Sequence, residues 1–436
     1  MSPKEGTKPP GQNLFGGEAT GPPQPFFHSR WVQAPEHVRD LGPDVGLPGG
    51  FRAWGVTCGI KPSGNPDLGL LVNEAPEPVS AARFTATGMP AAPVLVSQER
   101  CRLQSLRAVL ANSGCANAAT GQRGLDDAAK TQGATAVAVG CDPSEVALAS
   151  TGGISHHLPV EKMLQGILAV RPGLDSSGDG AFQHAIQTTD ASEKRANLEV
   201  ELPSGTVRLS AQCKGAGMIS PNFATMLCFV ETDAALQAHT ADLLFGVCVK
   251  RSFDRASVDG QLSTNDTAIL MCSGASGVEI APESEDELRF GEALDALLRQ
   301  LAIMMVADGE GAERIARVIV RGGHEPSAEA VARAVANSPL VKTALNGADP
   351  NWGRIVQAVG AALPGTAPLS ADLTIEGIPV CIAGAATGYD EDALAAAVKA
   401  MEIEYEIGLP GEGAETEVFF SDLGHEYVRI NAEYTT

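Results

Sequence analysis

The chain has 436 residues, long enough to bury a large core in two lobes or one big domain. Its 31 Lys and Arg against 53 Asp and Glu leave a net charge of −22, which argues against nucleic-acid binding through a phosphate-neutralising surface and otherwise reads as solubility. Glycine (48) and proline (28) are frequent and aromatics few (5%), which suits a turn-rich enzyme packed with Ala, Val and Leu.

Residues 1–48 read as a mobile tail, because Pro and Gly recur there without any sustained period; Phe26, Phe27 and Trp31 could anchor its end. From Phe51 the text becomes dense. Leu68–Val72 and Arg107–Asn112 are short apolar strand candidates, and Asp126–Val139 is Ala-rich and helical. Val146–Ser150 reads as a buried strand that ends in a turn at Thr151-Gly152-Gly153, and Val160–Val170 has helical spacing after Pro159. Ala196–Cys213 has the alternation of a hairpin turning at Pro203-Ser204-Gly205. A strand follows up to Val230, then a helix around Ala234–Phe253, a strand Ala268–Cys272 and a long helix about Glu285–Val306. The last third supplies short strands, among them Arg317–Val320, Leu373–Ile375 and Tyr427–Ile430. Strands and helices mixed without a strict βαβ rhythm predict an α+β fold.

Nine cysteines are dispersed with no C-x-x-C pair, as expected of reduced, mostly buried thiols in a cytoplasmic protein. Residues 1–50 have no apolar signal core, and no stretch reaches the roughly 18 apolar residues of a membrane span. No nucleic-acid or membrane partner is therefore expected. His156 and His157 are adjacent rather than four apart, so they do not share a helical face as a metal pair would. There is no G-x-x-x-x-G-K-S/T loop and no G-x-S-x-G elbow, and Gly215-Ala216-Gly217 is too short for a dinucleotide fingerprint. The expectation is an enzyme with no metal and no cofactor.

The most informative run is Lys214-Gly215-Ala216-Gly217-Met218-Ile219-Ser220-Pro221-Asn222-Phe223-Ala224-Thr225-Met226-Leu227, a glycine-bearing approach to a threonine that opens an apolar stretch. A threonine hydroxyl is protonated at neutral pH and needs a base before it can attack. Making the threonine a new N-terminus supplies one. Its hydroxyl attacks the preceding carbonyl, the peptide shifts to an ester and hydrolyses, and the freed α-amine (pKa roughly 7.7–8.0, against about 10.4 for lysine) serves its own hydroxyl. Chemistry alone does not select Thr225 among the chain's threonines.

The segment resembles the self-cleavage site of the ornithine acetyltransferase (ArgJ) family, whose motif reads approximately KG-small-GM-x-x-P-x-x-ATM, and the likeness runs from about Gly49 to the last residue. The resemblance implies a self-cleaving α/β/β/α-type sandwich with a smaller C-terminal lobe. Cleavage between Ala224 and Thr225 would leave residues 49–224, behind the tail, as an α chain and 225–436 as a β chain, two pairs forming a heterotetramer. It implies Thr225 as nucleophile and Thr151 and Gly152, in Ser150-Thr151-Gly152, as oxyanion donors; the following Gly153-Ile154-Ser155 departs from the family's usual V-I-G. It implies substrate contacts from Thr188 in a TTD motif, Lys214, Thr225, Glu310 in DGEGA, and Asn431 and Thr436 in the ending N-x-x-Y-x-T. Two further blocks match without evident chemistry: Val258-Asp259-Gly260 with Ser263–Thr267, and Ser338–Lys342 with Gly347–Arg354. The implied activity moves acetyl from N2-acetyl-ornithine to glutamate in arginine biosynthesis, with acetyl-CoA open as a second donor substrate. The alternatives are an N-terminal-threonine hydrolase or aminopeptidase, and an acyltransferase paralogue of secondary metabolism.

Overall fold

A computed structural model of the chain describes residues 25–220 and 226–433. Among them, six strands form one mixed sheet in the order Val38–Asp40, Lys194–Leu202, Gly205–Lys214, Leu227–Thr232, Thr267–Cys272 and Val79–Phe84. Four more form a second sheet: Phe51–Val56, Leu68–Asn73, Ala108–Cys115 and Val146–Gly153. The two sheets share one core. Phe51, Leu71, Val109 and Ala147 of the four-stranded sheet meet Leu227, Phe229, Ile269 and Met271 of the six-stranded one.

The period of two along each strand decides what lies outside. Leu227 and Phe229 face the inner core, whereas Cys228 and Val230 face the helices Ala238–Arg251 and Glu285–Ala307. The outer face of the four-stranded sheet is covered by Ala92–Arg100, Gly121–Val139 and Val160–Val170. Helix, sheet, sheet, helix is thus the layer order, as expected. The helix Asp179–Ile186 adds Phe182 and Ile186 to the inner core, with the Phe182 and Phe229 rings 5.4 Å apart, edge to face. It comes so close that a Cβ on Gly55 would lie 2.1 Å from the Ala181 carbonyl oxygen.

Seven strands make the sheet of the C-terminal lobe: Ala256–Ser257, Glu415–Ser421, Ile315–Arg321, Glu402–Gly408, Asp372–Ile375, Ile378–Ile382 and Ala385–Ala386. Helices Glu325–Ala336, Pro339–Asn346 and Trp352–Ala362 cover it through Val331, Val335, Leu345 and Ile355. Ala256–Ser257 pairs in parallel with Phe419-Phe420, which carries this sheet to the edge of the sandwich.

The hairpin lies as expected, with Leu202 opposite Gly205, and the long helix starts on Ser284, whose side chain accepts from the Glu287 N–H at 3.1 Å. Three expectations are corrected. Residues 25–48 are not a free tail: Phe26, with Phe27 and Trp31 packed beside it, anchors them as the alternative had it, Val32 is buried in the same core, and Val38–Asp40 adds an edge strand to the first sheet. Thr151-Gly152-Gly153 is not a turn, since the strand runs on through Gly153, paired with Ser113–Cys115. Tyr427–Ile430 is not a strand but part of the helix His425–Glu433. All nine cysteines are unpaired thiols, and among the described residues no helix is long and apolar enough to cross a membrane.

Candidate active site

Thr151 and Gly152 sit at the C-terminal end of an edge strand whose last turn of backbone is pinned from the side. The Ser150 hydroxyl donates to Asn112 Oδ1 (2.6 Å), and Asn112 Nδ2 donates to the Cys115 carbonyl (2.9 Å). Across the inner core, the hairpin strand ends at Lys214. Its ammonium donates to Thr188 Oγ1 (2.8 Å) and Thr151 Oγ1 (3.2 Å) and lies 3.9 Å from Asp190. Because both hydroxyls accept from Lys214, each keeps its own O–H to donate elsewhere.

Lys214 is almost fully buried, and the carboxylate that supports its charge, Asp190, is shared with a second cation. Lys194 lies 2.8 Å from Asp190 and 2.5 Å from Asp308, all three inaccessible or nearly so. Burial opposes the charged Asp190 carboxylate, but Lys194 and Lys214 outweigh it and hold the group well below the usual carboxylate range. Burial pushes the Lys214 ammonium below the ordinary lysine range, with Asp190 opposing. Asp190 is further tied by the N–H groups of Gly215 (2.7 Å) and Thr188 (3.0 Å).

Opposite stand Glu310 and Asn431. The Glu310 N–H donates to the Ala216 carbonyl (3.0 Å), placing its side chain over Gly217, where a Cβ would come within 2.8 Å of the carboxylate. Asn431 Nδ2 donates to Glu310 Oε2 (2.7 Å) from the C-terminal helix. Thr151, Gly152, Thr188, Lys214, Glu310 and Asn431 thus line one cavity of about 170 Å³, roughly ten times what a single water occupies. Thr225, Ala224 and Thr436 lie outside the described residues. Met226, the next residue after Thr225, is buried and held by Asp266, whose neighbour Asn265 lines the cavity: the Met226 N–H donates to Asp266 Oδ1 (3.0 Å), and its carbonyl accepts from Thr267. Burial drives the Asp266 carboxyl well above the carboxylate range, against the pull of the Met226 N–H.

The cavity also includes residues to which the sequence reading attached no role: Asp259, Gln261, Thr264, Asn265 and Tyr427. All five except Gln261 fall in segments singled out as motif blocks or as a strand. Their inward direction is the part that spacing did not reveal. Among the described residues no cluster of three or more His, Cys, Asp or Glu side chains could hold a metal ion, and His156 and His157 are exposed.

The model of the ArgJ family matches residues 52–436. The arginine biosynthesis bifunctional protein ArgJ of Rhodopirellula baltica is 42% identical over 396 residues, spanning 89% of this chain and 96% of the relative. That of Thermus thermophilus is 42% identical over 397 residues, spanning 90% of this chain and all of the relative. A solved ornithine acetyltransferase from Mycobacterium tuberculosis, complexed with ornithine, is 37% identical; it covers 43% of this chain and 99% of that one, at a TM-score of 0.39.

Proposed function

The chain belongs to the ArgJ family, and from that premise we propose that it transfers acetyl from N2-acetyl-ornithine to glutamate through an acetyl ester on Thr225. The observation that carries this reading is the convergence of five side chains and one glycine backbone position, drawn from distant parts of the chain, on a single cavity that is also lined by Asn265, the neighbour of the Asp266 that holds Met226. The cavity offers one ammonium, Lys214, and two carboxyl groups, of which Asp259 is already engaged by the Met218 and Ile219 N–H groups and Glu310 is held by Asn431. An amino acid with a second amine presents the complementary pattern: a carboxylate for Lys214 and an ammonium for Glu310 with Asn431.

Maturation comes first. Thr225 Oγ attacks the Ala224 carbonyl carbon; the C–O bond forms, the C–N bond breaks, and the nitrogen takes the hydroxyl proton. Water then hydrolyses the ester, leaving chains of 224 and 212 residues. In turnover the Thr225 α-amine accepts the Oγ proton as Oγ adds to the acetyl carbonyl. The Thr151 hydroxyl, already accepting from Lys214, and the Gly152 N–H donate to the resulting oxyanion. Ornithine leaves with the proton on its amine. Glutamate adds to the ester, and the same steps in reverse release N-acetylglutamate. No step calls on a cofactor, and acetyl-CoA delivers the same acetyl group if it reaches the same ester. The matured chains remain interlocked as α and β, two pairs assemble, and the unpaired cysteines suit work in the cytoplasm.

Intact-mass measurement before and after N2-acetyl-ornithine tests the cycle. It should show a cut between Ala224 and Thr225 and one acetyl group on the 225–436 fragment, both abolished in Thr225→Ala. Ornithine release that continues past one turnover without glutamate would replace the transferase reading with a hydrolase.

A further inference from the structure

We propose that the loop from Val258 to Asp266 is the positioning clamp for self-cleavage, with Asp259 as its upstream jaw; the proposal rests on cleavage at Ala224–Thr225. The loop holds the chain on both sides of the scissile bond. Upstream, Asp259 Oδ2 accepts from the Met218 N–H (2.8 Å) and Oδ1 from the Ile219 N–H (3.0 Å). The grip is reciprocal, because the Ile219 carbonyl accepts from the N–H groups of Val258 (2.9 Å), Asp259 (3.3 Å) and Gly260 (3.2 Å). Downstream, Asp266 from the other end of the same loop accepts from the Met226 N–H (3.0 Å). Both anchors are seated by packing: Ile219 and Met226 belong to the buried core between the sheet and its helices.

The held backbone is not relaxed. Met218 has φ of +53°, the left-handed region that a residue with a side chain rarely occupies. A carboxylate taking the N–H groups of Met218 and of the next residue is what keeps it there. An N-to-O acyl shift needs the hydroxyl oxygen beside the preceding carbonyl carbon, and fixing the chain at Ile219 and Met226 reduces the entropy lost in reaching that arrangement. Asp259 acts through the backbone, so it is a positioning residue. The Tyr427 hydroxyl donates to the same carboxylate (3.2 Å), so the helix bearing Asn431 is tied to the clamp as well.

The test follows processing of the full-length precursor by intact mass, alongside thermal unfolding, for wild type, Asp259→Asn and Asp259→Glu. The amide turns an N–H toward a donor, and the longer side chain moves the carboxylate off its two partners. Either variant that folds with the wild-type transition should cleave at least about 10-fold more slowly. A folded variant that cleaves at the wild-type rate overturns the proposal, and so does slow cleavage that only tracks lost thermal stability across both variants. Wild-type protein cut at another bond, or never cut, instead defeats the reading of Thr225 on which this one stands.

Discussion

Gly152 shows how narrowly one position is specified. Its φ is +127°, and a Cβ there would lie 2.5 Å from the Gly114 carbonyl carbon and 2.6 Å from the Cys115 nitrogen. Gly152→Ala must therefore push the edge strand off its neighbour and turn away the N–H that we propose donates to the oxyanion. Steady-state kinetics should find kcat lower by about 100- to 1,000-fold, the usual cost of one such donor, with KM changed far less. The neighbouring Thr151 was nameable only through a motif, because Ser-Thr-Gly by itself is an ordinary run of small residues. What gives its hydroxyl a direction is Lys214, 63 residues away in sequence and 3.2 Å away in space. Nothing in the run around Lys214 announces that Asp190 and Lys194 accompany it, since the need for them arises only when all three are taken out of water.

The C-terminal helix carries the same lesson for an element. Tyr427-Val428-Arg429-Ile430 has the β-branched and aromatic content of a strand, yet it folds as part of His425–Glu433. A helix places Tyr427 and Asn431 one turn apart on one face, within reach of Asp259 and Glu310; a strand would separate them by about 13 Å. On the other side Arg429 pairs with Glu426 (2.8 Å) and Glu433 (3.2 Å), partners three before and four after it, which only a helix brings together. None of its residues is buried, so the helix is held by its site contacts more than by the core. Ile430→Pro removes an internal N–H and costs a helix interior about 3 kcal/mol. It should raise the KM for N2-acetyl-ornithine at least about 10-fold while leaving global unfolding little changed, measured by kinetics and calorimetry on the same preparation.

Across the whole molecule, the layer order sets which charges are tolerated. Glu231 lies fully buried in the six-stranded sheet, with Gln212 Nε2 donating to one oxygen (3.2 Å) and no partner for the other. Burial raises its carboxyl well above the ordinary value of 4.5, with Asp179 adding to the effect and Gln212 opposing it. A raised folded-state pKa means that the folded protein holds this proton more tightly than the unfolded chain does. The stability it contributes is complete below about 4.5 and declines as pH climbs from there to the folded pKa, by up to roughly 1.4 kcal/mol per pH unit. Glu231→Gln should flatten that part of the stability–pH curve, read by denaturant titration from pH 5 upward; an unchanged slope would show Glu231 ionised in the fold. The local text by itself determined the α+β class, the hairpin, the long helices and the family motifs, because periodicity, turn residues and helix caps act over a few residues. Only the tertiary structure decided that residues 25–48 pack down, that the last helix is a helix, and that Asp259 grips Met218. Those outcomes depend on which distant groups lose water together, and no stretch of neighbouring residues encodes that.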